Sequence, residues 1–311
     1  MIRTRLQLIN DGMSPHQLTR LVAAGDLVKV ASGTFVAVGD LPPWPDERHR
    51  LSVVAMARRC GLVVSHVSAA VLHGLPVPGA DLSRVHFTRP GVGGGLHGES
   101  RVVHAGALPP RWRTRLDGIA VTHPARTVVD VARTQSLGTA VAVADAALHA
   151  GLCTYEELAQ VVDESERTRG VHKARAAAEL WDDRAESPGE SLMRVALNQL
   201  GFPRSELQVT ILDERGRFVG RADGGILDKG VLWEFDGAVK YGPDGGADAL
   251  VAEKRREEGF AGLGWQVVRA VSHDVRDPGE LEHRMRRALA RAERPGWAPP
   301  LGAFRLMSRR T

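Results

Sequence analysis

Two acids stand two residues apart inside the most strand-like stretch of the chain, Leu232-Trp233-Glu234-Phe235-Asp236-Gly237-Ala238-Val239-Lys240-Tyr241-Gly242. Alternate residues of a strand share a face. Glu234 and Asp236 therefore point one way, and Trp233 and Phe235 face a buried layer. A third acid, Asp223, lies on the preceding strand-like run. If Asp228-Lys229 forms a two-residue hairpin loop, Asp223 falls directly opposite Glu234; a three-residue loop would shift the pairing by one. Like charges so placed cost free energy and raise one another's pKa. A divalent cation would offset the repulsion, because Mg2+ takes hard oxygen ligands and binds through one or two carboxylates plus substrate phosphates. Lys240 would then stabilise charge on the phosphate. The alternative is a solvent-facing acidic hairpin with arginines such as Arg221 nearby.

The elements that must hold these residues are well marked. Ser187-Pro188 reads as N-cap and first residue of a helix, with Glu190 at the third position, so Glu190 has a capping-box role available as well as a chemical one. Three antiparallel strands are expected at 207–212, 217–227 and 231–236. A helix follows at 247–262 and a strand at 265–271. Lys254 on that helix either pairs with Glu257, three residues on, or supplies charge to a phosphate. Helix, three strands, helix, strand, helix describes an α/β sheet covered by helices.

The first forty residues predict a different device. A short helix at 4–10 closes at Gly12, and Ser14-Pro15 opens a second helix that runs to Ala24. Residues 27–39 then read as a hairpin around Ser32-Gly33. This is the order of a winged helix-turn-helix. Its second helix would present His16, Gln17, Thr19 and Arg20 to a DNA major groove; a mini-domain that only packs on its neighbour is the alternative. Residues 46–181 predict a mixed α/β region with short strands at 83–88, 100–105 and 119–122. Its His73, His86 and His104 read as packing or surface residues rather than ligands, and no catalytic spacing stands out there.

Composition sets outer bounds. At 311 residues the chain has room for two or three domains. Its 43% hydrophobic and 25% charged residues are those of a globular protein. No apolar run is long enough to span a bilayer, and no signal-peptide core opens the chain, so a cytoplasmic location with no membrane partner is expected. Two cysteines without a CxxC pair and twelve histidines without an HExxH pattern give no sequence signature of a zinc site. The net charge of +4 is only mildly basic, but eight arginines fall between Arg284 and Arg310, as a solvated helix face and tail or as a phosphate-contacting surface.

Two resemblances follow from these motifs. The pieces "SPGESLMRVAL", "RAD", "WEFDGAVKYG" and "EKRREEGFAGLGWQVVRAV" resemble the restriction-endonuclease-like superfamily, nearest its very-short-patch-repair branch. That implies an Mg2+- or Mn2+-dependent endonuclease hydrolysing phosphodiester bonds with a metal-activated water. Asp223, Glu234 and Glu190 would bind metal, Asp236 would complete the acidic set, and Lys240 or Lys254 would supply positive charge. Asp236 stands where that superfamily usually has lysine. The pieces "SGTFVAVG", "SHVSAAVLHGLP" and "VTHPARTVVDVAR" resemble the AbiEi-type antitoxins, DNA-binding autorepressors of abortive-infection systems. The expected organisation is a winged helix-turn-helix at 1–40, an antitoxin-like α/β region at 46–181, a restriction-endonuclease-like α/β core at 187–292 and a basic tail at 293–311. The first reading is a metal-dependent endonuclease in repair or defence. The alternative is an antitoxin-like transcriptional regulator whose nuclease-like domain is inactive. Expected partners are DNA, a cognate toxin or a repair or defence protein, and a second copy of the chain on a two-fold site.

Overall fold

The computed structural model describes residues 2–91, 93–237 and 247–309. The chain forms two compact units: Met1–Gln135 with Leu152–Ala174, and Ser136–Gly151 with Arg175–Thr311.

Unit 1 opens with β1 (Arg3–Thr4), α1 (Arg5–Asn10) and α2 (Pro15–Ala24), followed by the hairpin β2 (Leu27–Ala31) and β3 (Thr34–Ala37). Thr4 and Ser14 each cap their helix in a reciprocal box with a glutamine three residues on, and Pro15 stands at the first turn of α2. Leu8, Leu18 and Phe35 close a small core. β1 joins the hairpin to give the order β1-β3-β2.

A larger layer follows. It comprises α3 (Pro45–Cys60), β4 (Val63–Val64), α4 (His66–Leu72), β5 (Val85–Pro90), β6 (Leu96–His97), β7 (Arg101–Gly106), β8 (Arg113–Leu116), β9 (Ile119–Thr122) and α5 (Pro124–Thr134). The six strands lie in the order β6-β7-β5-β4-β9-β8, with β5 parallel to β7 and β4 parallel to β9. Val53, Val64, Leu72, Phe87 and Val121 form the core beneath the sheet. His49 of α3 is buried between the Leu82 carbonyl and the Ser68 hydroxyl, both 2.8 Å away. His73, half-buried, meets the Thr122 carbonyl at 2.8 Å.

The chain next forms α6 (Leu137–His149), α7 (Tyr155–Glu164) and α8 (Val171–Ala178). Sequence placed α6 in the region 46–181, but it belongs to unit 2. Its small apolar residues pack on α9 (Pro188–Gln199), and Asp145 explains why the pairing is specific. This carboxylate, 1% exposed, accepts from the Asp182 N–H, the Ser191 hydroxyl and the Arg194 guanidinium. Burial pushes its pKa up to about 6 against the pull of Arg194 and the two hydrogen bonds.

The rest of unit 2 is β10 (Glu206–Leu212), β11 (Phe218–Ile226), β12 (Val231–Asp236), α10 (Ala247–Gly262), β13 (Gln266–Val271), α11 (Gly279–Ala292) and β14 (Ala303–Leu306). The sheet order is β13-β12-β11-β10-β14, antiparallel except for the parallel pair β12–β13. Met193, Leu197, Trp233, Phe235, Leu281 and Met285 fill one side, beneath α9 and α11. Ile211, Leu232, Phe260 and Trp265 fill the other, beneath α10. A Cβ on Gly189 would lie 2.1 Å from the Phe235 ring, so only glycine lets the first turn of α9 rest on β12. Strand β14 lies inside the expected basic tail; pairing with β10, rather than an apolar pattern of its own, makes it a strand.

Two outcomes follow from this packing. Asp145→Ala leaves Arg194 charged and buried without its counter-charge, and should destabilise unit 2 by about 3–5 kcal/mol in urea denaturation; a loss under about 1 kcal/mol would contradict the pairing. Burial lowers the pKa of His49 and His73 in the fold. The unfolded chain then binds protons first, so their contribution is complete above about pH 6.5 and is lost as pH falls below it. Unit 1 peptides should exchange amide hydrogens faster at pH 5 than at pH 7.5 after correction for intrinsic rates, less steeply in His49→Gln. Equal protection at both values refutes this.

Candidate functional site

The acids of unit 2 gather around the end of β12, but not as a simple cross-strand pair. The hairpin keeps the expected alignment, with Gly224 facing Trp233 and Ile226 facing Val231 across the turn at Leu227–Lys229. The ladder then stops. In place of a further backbone pair, the Asp223 carboxylate accepts the Phe235 N–H at 2.7 Å. The expected face-to-face placement of Asp223 and Glu234 therefore gives way to a side-chain acceptor, which gives Asp223 a donor where a like charge would repel it.

Each remaining acid also has a partner within the fold. Glu234, 5% exposed, has Arg256 of α10 at 3.1 Å on one oxygen and Arg269 of β13 at 3.2 Å on the other. Arg269 also meets Asp236 at 3.3 Å and pairs with Glu253. Glu190 does not complete the expected capping box. Ser187 does cap its backbone N–H, but its own carboxylate reaches back to the Glu186 N–H (3.0 Å) and to the Gln208 amide (2.8 Å). Burial raises the pKa of both Glu190 and Glu234, and the neighbouring Asp223 charge adds to each. The four acids thus share one electrostatic neighbourhood, with two arginines among them. Lys254 is exposed and lies 4.0 Å from Glu258, one helical turn on, rather than from Glu257. Lys240 and Tyr241 lie outside the described residues.

On α2 of unit 1, His16, Thr19 and Arg20 are exposed beside the buried Leu18. The Thr19 hydroxyl donates to the Pro15 carbonyl. Gln17 is exposed too, but its amide oxygen accepts the Ser14 N–H at 2.8 Å, so part of it is committed to the cap.

The sequence reading missed one cluster. His86 and His104, expected as packing or surface residues, meet His66 in unit 1. The His66 and His104 rings stack with centroids 3.6 Å apart, and His86 Nδ1 lies 3.1 Å from His104 Nε2. Burial, then the mutual repulsion of the rings, lowers the pKa of His66 well below the ordinary histidine value, and that of His86 to about 4. Burial likewise takes His104 to about 4. The three are neutral imidazoles at pH 7. His66 and His104 border a cavity of about 700 Å³, together with Thr88, Arg126, Asp130 and Arg133. Asp130 is fully buried and sits 3.0 Å from both Arg126 and Arg133. No short motif announces the cluster, because its members come from α4, β5 and β7; only the pairing of Thr88 with His104 across β5 and β7 brings the strands' contributions together.

Residues 59–181 match the family of the AbiEi antitoxin C-terminal domain, the region that carries the histidine cluster; the match ends before the acidic sheet. A crystal structure of the RV2827C protein from Mycobacterium tuberculosis is similar at a TM-score of 0.38 and 18% identity, over 62% of this chain and 75% of that one. The uncharacterized proteins MT2308 and Rv2248 of two Mycobacterium tuberculosis strains are each 32% identical over 289 residues, 91% of this chain and 100% of theirs. This chain belongs to the family of those mycobacterial proteins, and within it carries an AbiEi antitoxin C-terminal domain match at residues 59–181.

Proposed function

We propose that the chain is an AbiEi-like antitoxin that binds DNA as a transcriptional regulator and meets a cognate toxin, with its acidic sheet catalytically inactive. The match of residues 59–181 to the AbiEi antitoxin C-terminal domain carries this reading. The order helix, helix, hairpin at residues 5–37 is that of a winged helix-turn-helix. In it α2 is the recognition helix, and His16, Thr19 and Arg20 are the side chains offered to base edges and phosphates. A two-fold operator would suit a homodimer.

A second reading, an Mg2+- or Mn2+-dependent endonuclease, has one observation in its favour: Glu190 and Glu234 both feel the charge of Asp223. The donor set does not fit the ion as it stands. Glu234 is held by two guanidinium groups and Asp223 by a backbone N–H, so a cation would have to displace Arg256 and Arg269. We derive no hydrolytic step through it.

One experiment separates the two. The full chain is titrated with DNA from upstream of its own reading frame and with scrambled DNA, in EDTA and then in Mg2+ or Mn2+. The regulator reading expects sequence-specific binding in EDTA. Arg20→Ala should weaken it about tenfold or more, the scale of losing a base contact of about 1–3 kcal/mol, and Asp223→Ala should leave it intact. Metal-dependent cutting that Asp223→Ala and Glu234→Ala both abolish would install the nuclease instead. Binding that ignores both DNA sequence and Arg20 would sink the regulator.

A further inference from the structure

We propose that His66, His86 and His104 bind a single Zn2+ ion, with the fourth coordination position open to the cavity that His66 and His104 line. Each residue offers one ring nitrogen, and these atoms all lie within 4.8 Å of one another. Histidine nitrogens bind zinc at about 2.0–2.1 Å, which spaces them about 3.4 Å apart around a tetrahedral ion. His86 Nδ1 and His104 Nε2, 3.1 Å apart, already stand near that spacing.

Four features make this more than three histidines packed together. His66 is 3% exposed, too enclosed for a surface residue. Its backbone sits at φ 54°, in the left-handed region, and strain of that kind gathers at functional positions. Its Nδ1 is held by the Ser65 hydroxyl at 2.9 Å, the outer contact by which proteins commonly orient a metal-bound imidazole. The Thr88 hydroxyl, 2% exposed on the cavity wall, has no hydrogen-bond partner among the described residues.

The chemistry selects the ion. Three neutral imidazoles suit zinc and its borderline neighbours, whereas Mg2+ and Ca2+ require oxygen ligands. Asp130, locked between Arg126 and Arg133, is not among the ligand atoms. The stack of His66 on His104 must open for both nitrogens to face one ion.

The full chain, stripped with chelator and dialysed, is titrated with ZnCl2 by calorimetry and with CoCl2 by visible absorption. One ion per chain, with the absorption bands of tetrahedral cobalt, is expected. His86→Gln with His104→Gln should weaken binding by at least about 100-fold, since losing even one outer partner of a ligand costs about 10–100-fold. Zinc held equally well by that variant would place the ion elsewhere and overturn the proposal, as would no uptake by the wild type. Should the variant not fold, the imidazole 15N resonances of the wild type decide it: those of His66, His86 and His104 shift together on zinc addition, or the site does not exist. None of these readings depends on DNA binding or on a toxin.

Discussion

Asp145 enters the interior of unit 2 almost without contact with water, and what it must accept fixes much of the structure around it. A buried carboxylate is tolerated only when hydrogen-bond donors and a counter-charge surround it. Arg194 supplies the charge from α9, Ser191 a hydroxyl one turn earlier on the same helix, and Asp182 a backbone N–H from the preceding segment. Arg194 in turn donates to the Leu180 carbonyl. Asp182 continues the chain of pairs through Arg184 to Glu206 at the start of β10. A helix that the sequence places in the preceding region is thereby tied into this unit. The first turn of α9, which carries Glu190, is also set by this network and by the glycine contact with Phe235.

The same rule decides how the acidic cluster should be read. Acids clustered on a strand need compensation, and from sequence a divalent cation is an economical answer. The fold supplies another. Arg256 comes from α10 and Arg269 from β13, 22 and 35 residues beyond Glu234 in the chain. A guanidinium can satisfy a carboxylate with directed hydrogen bonds and cannot lose its charge. Asp223 accepts the Phe235 N–H where the ladder ends one pair early. Arginines and a backbone N–H therefore offset much of the acidic charge within the fold, with no cation needed for those contacts.

Much of the fold was legible because its signals are local. Ser187-Pro188 started α9, the β11–β12 alignment is the expected one although the turn spans Leu227–Lys229 rather than two residues, and the helix expected at 247–262 is α10. What escaped was non-local. Strand β14 has four exposed residues and no alternation of its own; it exists because β10 offers an edge. Gln17 looked like a DNA contact, yet its spacing from Ser14 is also that of a capping box, and the box takes its amide oxygen. Arg256 and Arg269 come beside Glu234 only through the sheet and the helix packed on it.

The histidine cluster is the sharpest case of this limit. A metal motif is recognisable in sequence when one helix or one tight loop carries most of the ligands, so that spacing alone fixes geometry. Here α4, β5 and β7 contribute one ligand each, and the parallel pairing of β5 with β7 brings two of the strands together. His86 and Thr88 share a face of β5 by simple alternation, while Val85 and Phe87 enter the core on the other. Alternation therefore predicts an inward and an outward face, but not that the non-core face of this strand would itself be enclosed. Once it is, three imidazoles meet, and two of them border a cavity with the Thr88 hydroxyl. Stacking and the His86–His104 contact hold the rings together in the fold, and a bound cation is the further role that their three nitrogens offer.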